Sequence, residues 1–270
     1  MKDKDLLSIK KFSNLTGIPQ SKLRYYDEVK LFQPIERGEN DYRYYSAMQT
    51  IAVNVVNVMR SANIPLKKIS ELKKNLSPRA VLALLQENIY ELNQELYRLQ
   101  QAYSIIHTYC GLIHEGLLAD ESEISCLRMA AIRIEFGPLN DFSSGYLYDS
   151  FFKFLGLMES RNIDTAYPAG AFYNDMEAFL KSPGQPTRFF SQVPTGRSTK
   201  EAGDYLVGYT RGYYGSLGDL PQRMREKAEE LDITINGPVY EIYLHDEISV
   251  EDRNQYLIQV SIPYTRKRIR

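Results

Sequence analysis

The 270-residue sequence predicts an α+β multidomain chain: a helix-turn-helix unit with a hairpin, one long helix, and a mixed domain built on a duplicated βαββ unit. Three observations carry that prediction. Short helical runs punctuated by turn residues fill residues 1–75, and an unbroken heptad pattern fills residues 76–118. Over residues 119–270, runs rich in Tyr, Ile and Val alternate with two amphipathic helices. The expected domains are therefore 1–75, 76–118 and 119–270.

Ser8 reads as the N-cap of a helix over residues 9–15, whose apolar positions Ile9, Phe12 and Leu15 recur at helical spacing. Gly17 supplies a stop, and Pro19 stands where a second helix, about residues 19–29, begins. Leu23 and Tyr26 turn that helix toward the first, which makes a helix-turn-helix. Residues 31–45 read as a loop and short hairpin, with 38–41 as the turn and 42–45 as the returning strand. A third helix over about 46–62 and a short fourth over about 65–74 follow.

The long helix opens at Ser77 and Pro78 and is expected to end at Gly116. Leu82, Leu85, Ile89, Leu92, Leu96, Leu99, Tyr103, Ile106, Cys110 and Ile113 are spaced alternately by 3 and 4. At about 1.5 Å per residue this helix is about 50–55 Å long. A narrow seam of that length buries itself against an identical copy, so a coiled-coil homodimer is expected. In the last section the order strand (126–136), helix (144–160), strand (167–173), strand (188–193) is followed by strand (204–213), helix (217–231), strand (239–244), strand (255–263). The two helices begin roughly 73 residues apart, which reads as a duplicated unit pairing into a pseudo-symmetric sheet with a central groove.

Composition narrows the class. Hydrophobic content of 43% and charged content of 25% exclude wholesale disorder. No apolar run approaches the roughly 18 residues of a membrane span, and the first residues lack a signal-peptide core. Cys110 and Cys126 form no CxxC pair, so neither a disulfide framework nor a thiolate zinc site is expected, and the cytoplasm is the expected compartment. The net charge of −1 hides an asymmetry. Residues 1–75 hold 14 Lys and Arg against 8 Asp and Glu, and residues 76–270 hold 19 against 26. A basic segment attracts phosphate and an acidic one attracts cations, although ordinary solvated surfaces have the same look.

Lys22, Arg24 and Tyr25 lie along the exposed side of the second helix, where they offer donors to phosphates and base edges in a major groove. Arg43 projects from the hairpin among tyrosines, Tyr42 the first of them, and Arg60, Lys67 and Lys68 add charge further on. Surface cations and core tyrosines would give the same pattern, so these residues alone leave both readings open.

Leu23-Arg24-Tyr25-Tyr26-Asp27, Leu31-Phe32-Gln33-Pro34 and Tyr42-Arg43-Tyr44-Tyr45-Ser46 together resemble the MerR family of transcription regulators, over about residues 6–115. The resemblance implies a winged helix-turn-helix dimer joined by a long antiparallel coiled coil, bound to double-stranded promoter DNA between elements separated by an overlong spacer. It implies that an effector makes the dimer kink and untwist that spacer for RNA polymerase. By motif position, Arg24 and Tyr25 contact DNA from the recognition helix, Arg43 from the wing, and Arg60 matches a basic position ending the third helix. Smooth bending of a site costs about 1–6 kcal/mol, so the coupling must come from differential contacts in two dimer states. Metal and redox sensors of the family place cysteines at the start of the dimer helix and after it. Here that helix starts Ser77-Pro78-Arg79, Cys110 sits at a heptad core position, and His107 and His114 have no acidic or thiolate partner. No metal and no cofactor are expected.

Residues 119–270 resemble, more weakly, the gyrase-inhibitor-like effector-binding domain of multidrug-responsive members, through the βαββ order and Val239-Tyr240-Glu241-Ile242-Tyr243. The resemblance implies that Glu241 lies in an aromatic pocket and pairs with lipophilic cationic small molecules. Glu241 also stands out unaided, as a carboxylate inside a strand that otherwise reads as core. Alternation puts Val239, Glu241 and Tyr243 on one face and Tyr240, Ile242 and Leu244 on the other. The chain has 21 Tyr and no Trp; Tyr146, Tyr148, Tyr167, Tyr173, Tyr205, Tyr209, Tyr243 and Tyr256 fall on elements able to line a groove. Sheet packing is the competing role for any one of them. With Glu241, the expected ligand-contacting set is Tyr148, Tyr167, Tyr209, Tyr243 and Tyr256, since ring faces attract cations. An alternative from another class is hydrolysis of a small molecule by Glu241 and a tyrosine acting as base and orienter. No Ser-His-Asp constellation supports it, and a regulator rather than an enzyme is expected.

Overall fold

The computed structural model describes residues 6–143 and 147–266. The chain divides into two compact units, Met1–Tyr97 and Arg98–Arg270. Tyr146 lies outside the described residues, as does the start of the helix expected from residue 144.

In the first unit, β1 (Leu6–Ser8) leads into α1 (Ile9–Thr16). The Ser8 hydroxyl accepts from the Lys11 N–H at 3.3 Å, and Gly17 ends the helix in the left-handed region at φ 70°. Pro19 caps α2 (Gln20–Glu28). The wing consists of β2 (Glu36–Arg37) and β3 (Arg43–Ser46), and β1 adds a third strand in the order β1-β3-β2. Next come α3 (Gln49–Ser61) and α4 (Leu66–Lys74). Phe12, Phe32 and Tyr45 stack with ring centroids 4.4 to 5.9 Å apart, joining helices and wing in one core with Leu23, Tyr26, Val53 and Ile69.

Helix α5 (Pro78–Leu118) runs 41 residues, and Ser77 caps it by accepting from the Ala80 N–H at 3.2 Å. Its heptad side chains from Leu82 to Ile106 are uncovered, from 38% exposed at Leu85 to 71% at Tyr103. Gly116 does not end it. A Cβ there would lie 2.5 Å from the His245 imidazole, so this glycine admits a neighbour rather than stopping the helix.

The second unit is a sheet packed against helices. Its elements are β4 (Ile124–Met129), β5 (Ile132–Leu139), α6 (Leu147–Ser160), β6 (Ala169–Tyr173), α7 (Met176–Lys181), β7 (Arg188–Gln192) and β8 (Ser198–Lys200). Then come β9 (Gly203–Arg211), α8 (Leu220–Glu230), β10 (Ile233–Ile235), β11 (Val239–His245) and β12 (Leu257–Arg266). The strand expected over 126–136 is two strands. β4 pairs with β9 while β5 pairs with β7 and β8, so the chain changes position in the sheet at Ala130 and Ala131. The sheet order β4-β9-β12-β11-β6-β7-β5-β8 makes the duplication visible: β9, β12 and β11 on one side correspond to β5, β7 and β6 on the other. The pseudo-dyad falls between β11 and β6, which pair antiparallel with Glu241 opposite Ala171. α8 packs on Val239, Tyr243 and Val260. α6 packs through Phe154 and Met158 on Phe189, the partner of Ala171, so both helices cover the same face. The opposite face carries Tyr240, Ile242, Leu244, Tyr205 and Tyr209, and meets Leu112 near the end of α5. Among the described residues no helix is long and apolar enough to cross a membrane.

Candidate functional site

Two sites emerge, one in each unit. On α2, Leu23 and Tyr26 are buried, which turns Lys22, Arg24 and Tyr25 outward on the opposite side. Tyr42 is exposed at the wing and its ring meets that of Tyr44 at 5.3 Å. Arg60 is exposed and donates to the Ile64 carbonyl at 2.8 Å, and Lys67 is exposed at the start of α4. Lys68 instead pairs with Glu87 and Glu91 of α5, at 3.2 and 3.0 Å.

Arg43 departs from the expectation that it projects. It stands opposite Arg37 in the wing ladder, a like-charge pair that needs an anion between its members. Asp27 of α2 supplies it: the buried Oδ2 accepts from Arg43 Nε at 2.6 Å and from an Arg37 guanidinium nitrogen at 2.5 Å. The Arg43 side chain is only 20% exposed, so it braces the wing on α2. Asp27 is inside the family motif, but its depth depends on packing between α2 and the wing, which the sequence does not display.

In the second unit Glu241 occupies a central strand, beside Val260 of β12 and Ala171 of β6. It is 2% exposed, and among the described residues no Lys or Arg pairs with it. Its Oε1 accepts from the Tyr243 hydroxyl at 2.8 Å and its Oε2 from the Tyr173 hydroxyl at 3.2 Å. Each hydroxyl also accepts a backbone N–H, from Gly215 at 3.1 Å and Gly184 at 3.0 Å respectively. Those glycines have φ of 81° and 80°, and a Cβ on Gly184 would lie 2.6 Å from the Gly215 carbonyl oxygen. Two loops, one from each half of the duplication, thus meet at glycines and aim two phenols at one carboxylate. Burial pushes the Glu241 carboxyl above the usual carboxylate range, partly offset by the bonds from Tyr243 and Tyr173. Burial and the neighbouring carboxylate push both phenols up, so they remain donors.

Around this core the rings of Tyr214 and Tyr243 lie 4.7 Å apart, Tyr214 and Tyr256 5.7 Å, and Tyr213 and Tyr214 5.1 Å. Tyr214 donates to Glu247. Tyr148 on α6 is exposed, and its electrostatic influence reaches Tyr213. Of the expected set, the structure brings Tyr243 and Tyr256 into this network with Glu241, and leaves Tyr148 exposed at its edge near Tyr213. Tyr209 is on the other face: it pairs with Gln259, which pairs with Ile242, so strand alternation turns it away from Glu241. Tyr167 precedes β6 and donates to Gln101 of α5 at 3.2 Å, outside the network. Tyr213 and Tyr214 were not among the expected residues; the adjacent tyrosines between Gly212 and Gly215 are the signal that marks them. Among the described residues, no group of three or more His, Cys, Asp and Glu side chains is placed to hold a metal ion.

Residues 7–76, which hold the braced wing and the outward cations of α2, match the MerR HTH family regulatory protein, so this part of the chain is a MerR-type helix-turn-helix region. The chain is similar to the multidrug-efflux transporter 2 regulator of Bacillus subtilis (strain 168), at 28% identity over 247 residues and 89% of each chain. It is also similar to the multidrug-efflux transporter 1 regulator of that organism, at 20% identity, with 94% of this chain and 96% of the other covered. Among solved structures, a cryo-EM structure of the EcmrR–DNA complex in EcmrR-RPo covers 97% of this chain and 100% of its own, at 15% identity and a TM-score of 0.41.

Proposed function

We propose that the chain is a multidrug-responsive activator: a homodimer, joined along α5, that binds double-stranded promoter DNA and distorts the spacer for RNA polymerase when a lipophilic cation enters the Glu241 site. The observation that carries this reading is a carboxylate buried on the central strand with two phenols and, among the described residues, no cationic partner, in a network of tyrosines. An uncompensated buried carboxylate is costly, and a hydrophobic cation removes that cost while its apolar body stacks on rings. The Bacillus subtilis relatives, by their names regulators of multidrug-efflux transporters, support the choice of ligand class. Lys22, Arg24, Tyr25, Tyr42 and Lys67 are the proposed DNA contacts, with Arg43 and Arg60 at the edges of that surface.

The test is calorimetric titration of the full chain with tetraphenylphosphonium and with uncharged tetraphenylmethane derivatives. Cation binding needs the ionised carboxylate, whose pKa burial raises, so affinity rises with pH until Glu241 is ionised without ligand and then levels off. Uncharged ligands show no such slope. Glu241→Gln weakens the cation by a factor of ten to a few hundred, removes the slope, and leaves uncharged ligands within about threefold. Equal affinity of cation and uncharged analogue for the native chain sinks the reading. Mass spectrometry of the recovered ligand separates it from hydrolysis, since a sensor returns the ligand intact.

A further inference from the structure

A second polar site lies on the same domain, separated from Glu241 by strands β6 and β7 and independent of the reading given to that carboxylate. Where the end of α6 crosses β5 and the loop before β8 returns, a pocket of about 450 Å³ opens, within the size range of small-molecule sites. Phe136 and Leu157 give it apolar lining from the two faces of β5, and Arg161, Arg188 and Arg197 line it. Their common anchor is Glu135, a carboxylate only 2% exposed. One oxygen of Glu135 takes the Arg161 guanidinium, and the other accepts the backbone N–H of Arg197 at 2.8 Å. The carboxylate is thereby used up in fixing the frame, and it balances one guanidinium of three.

The other two have no carboxylate among the described residues. Arg188 stands over the Phe136 ring at 5.9 Å and donates one bond, at 3.2 Å, to the Gly137 carbonyl, and Arg197 is exposed. A guanidinium presents its donors as a planar fork that matches carboxylate and phosphate oxygens in pairs. Two such forks beside that apolar lining, with a surplus of positive charge, select against the lipophilic cations proposed for Glu241.

We propose that this pocket binds an organic anion, a carboxylate or phosphate monoester carried on an apolar body that lies against Phe136 and Leu157. Arg188 and Arg197 hold the anionic group, and Arg161 with Glu135 positions the frame.

The experiment is calorimetric titration of the full chain with 2-naphthoate and 2-naphthyl phosphate, with 2-naphthamide as the uncharged control. Saturable binding of at least one anion is expected, one per chain, with the amide at least tenfold weaker. Whichever anion binds more tightly identifies the headgroup. Arg197→Gln weakens that anion by about tenfold or more, and because its side chain is exposed it leaves the unliganded melting temperature in place. Arg188→Gln gives the same loss and serves as the second variant. The proposal is overturned by an absence of saturation at millimolar anion, by equal binding of the amide, or by anion affinities unchanged in both variants.

Discussion

Glu241 and Lys200 are buried on opposite faces of the same sheet, and no side chain of opposite charge pairs with either among the described residues. Glu241 is held by two phenols. The Lys200 ammonium donates to the Ser261 hydroxyl at 2.7 Å and sits over the rings of Tyr205 and Tyr240 at 4.8 and 5.1 Å. Burial brings its pKa down to about 8, against which the distant Glu115 carboxylate acts weakly. An unfolded lysine titrates near 10.4, so between pH 8 and that value the unfolded chain binds more protons and stability rises with pH. The residue costs the fold about 3 kcal/mol below pH 8, a cost that fades as pH climbs through the window. Lys200→Met removes the titration and keeps the volume. Urea unfolding at pH 7 and pH 10 is therefore expected to show the native chain gaining about 2–3 kcal/mol relative to the variant. A pH-independent difference between the two would show that Lys200 is not perturbed in this way. Glu241 has the opposite sign: its raised folded pKa gives stability present below the unfolded carboxylate pKa and lost as pH rises through the folded one. Where the carboxyl is ionised in the fold, that lost stability is the free energy the proposed cation would recover.

At the scale of elements, α5 carries two testable features. Its heptad side chains are uncovered from Leu82 to Ile106, which in water leaves each leucine short of about 1.5–3 kcal/mol of burial. Leu99→Glu puts a charge into that seam from both copies, so the proposed dimer is expected to weaken by about 10²- to 10⁴-fold and to sediment as monomer at micromolar concentration. Sedimentation of the variant at the native mass would count against α5 as the joining element. The second feature is at the helix end, where His245 of β11 hydrogen-bonds the Ile113 carbonyl at 3.2 Å and lies against Gly116. Alanine is the better helix former by about 1 kcal/mol, and at Gly111 a Cβ meets nothing within 4 Å, so Gly111→Ala should stabilise. Gly116→Ala forces the buried imidazole aside and is expected to cost about 1–3 kcal/mol despite the same propensity gain. The opposite signs, read by thermal unfolding, test the contact, and His245→Ala should relieve the second variant. The same pair shows the reach of sequence reasoning. Caps, heptads and the duplicated order are local patterns and could be read directly. Gly116 looks alike as a helix stop or as a place of close approach, and Ala130-Ala131 carries no turn residue to mark the break between β4 and β5. The Gly184–Gly215 contact that assembles Tyr173, Tyr243 and Glu241 joins two loops distant in sequence, so only the folded chain reveals it.

For the whole molecule, the proposed switch has to satisfy a free-energy condition. A ligand shifts an equilibrium only by the difference between its affinities for the two states. Smooth distortion of a promoter spacer costs about 1–6 kcal/mol, so a cation at Glu241 must favour the DNA-distorting state by a comparable amount. Linkage then makes a reciprocal demand. Whatever factor the cation applies to promoter affinity, the promoter applies to cation affinity, and factors of about 5–150 are usual. Helix α5 begins among contacts to α4, through Lys68, and ends against β11, the strand that carries Glu241. It is therefore the element through which the two equilibria are expected to be joined. The measurement is end-to-end energy transfer on a promoter duplex labelled at both ends, at one fixed salt concentration because phosphate contacts make affinity steeply salt-dependent. Saturating tetraphenylphosphonium is expected to shorten the duplex bound to the native chain and to leave it unchanged on Glu241→Gln. The two affinity ratios, cation with and without DNA and DNA with and without cation, should agree within error. A change of length that persists in Glu241→Gln would place the trigger elsewhere, and no change with the native chain would mean that cation binding and promoter distortion are separate events.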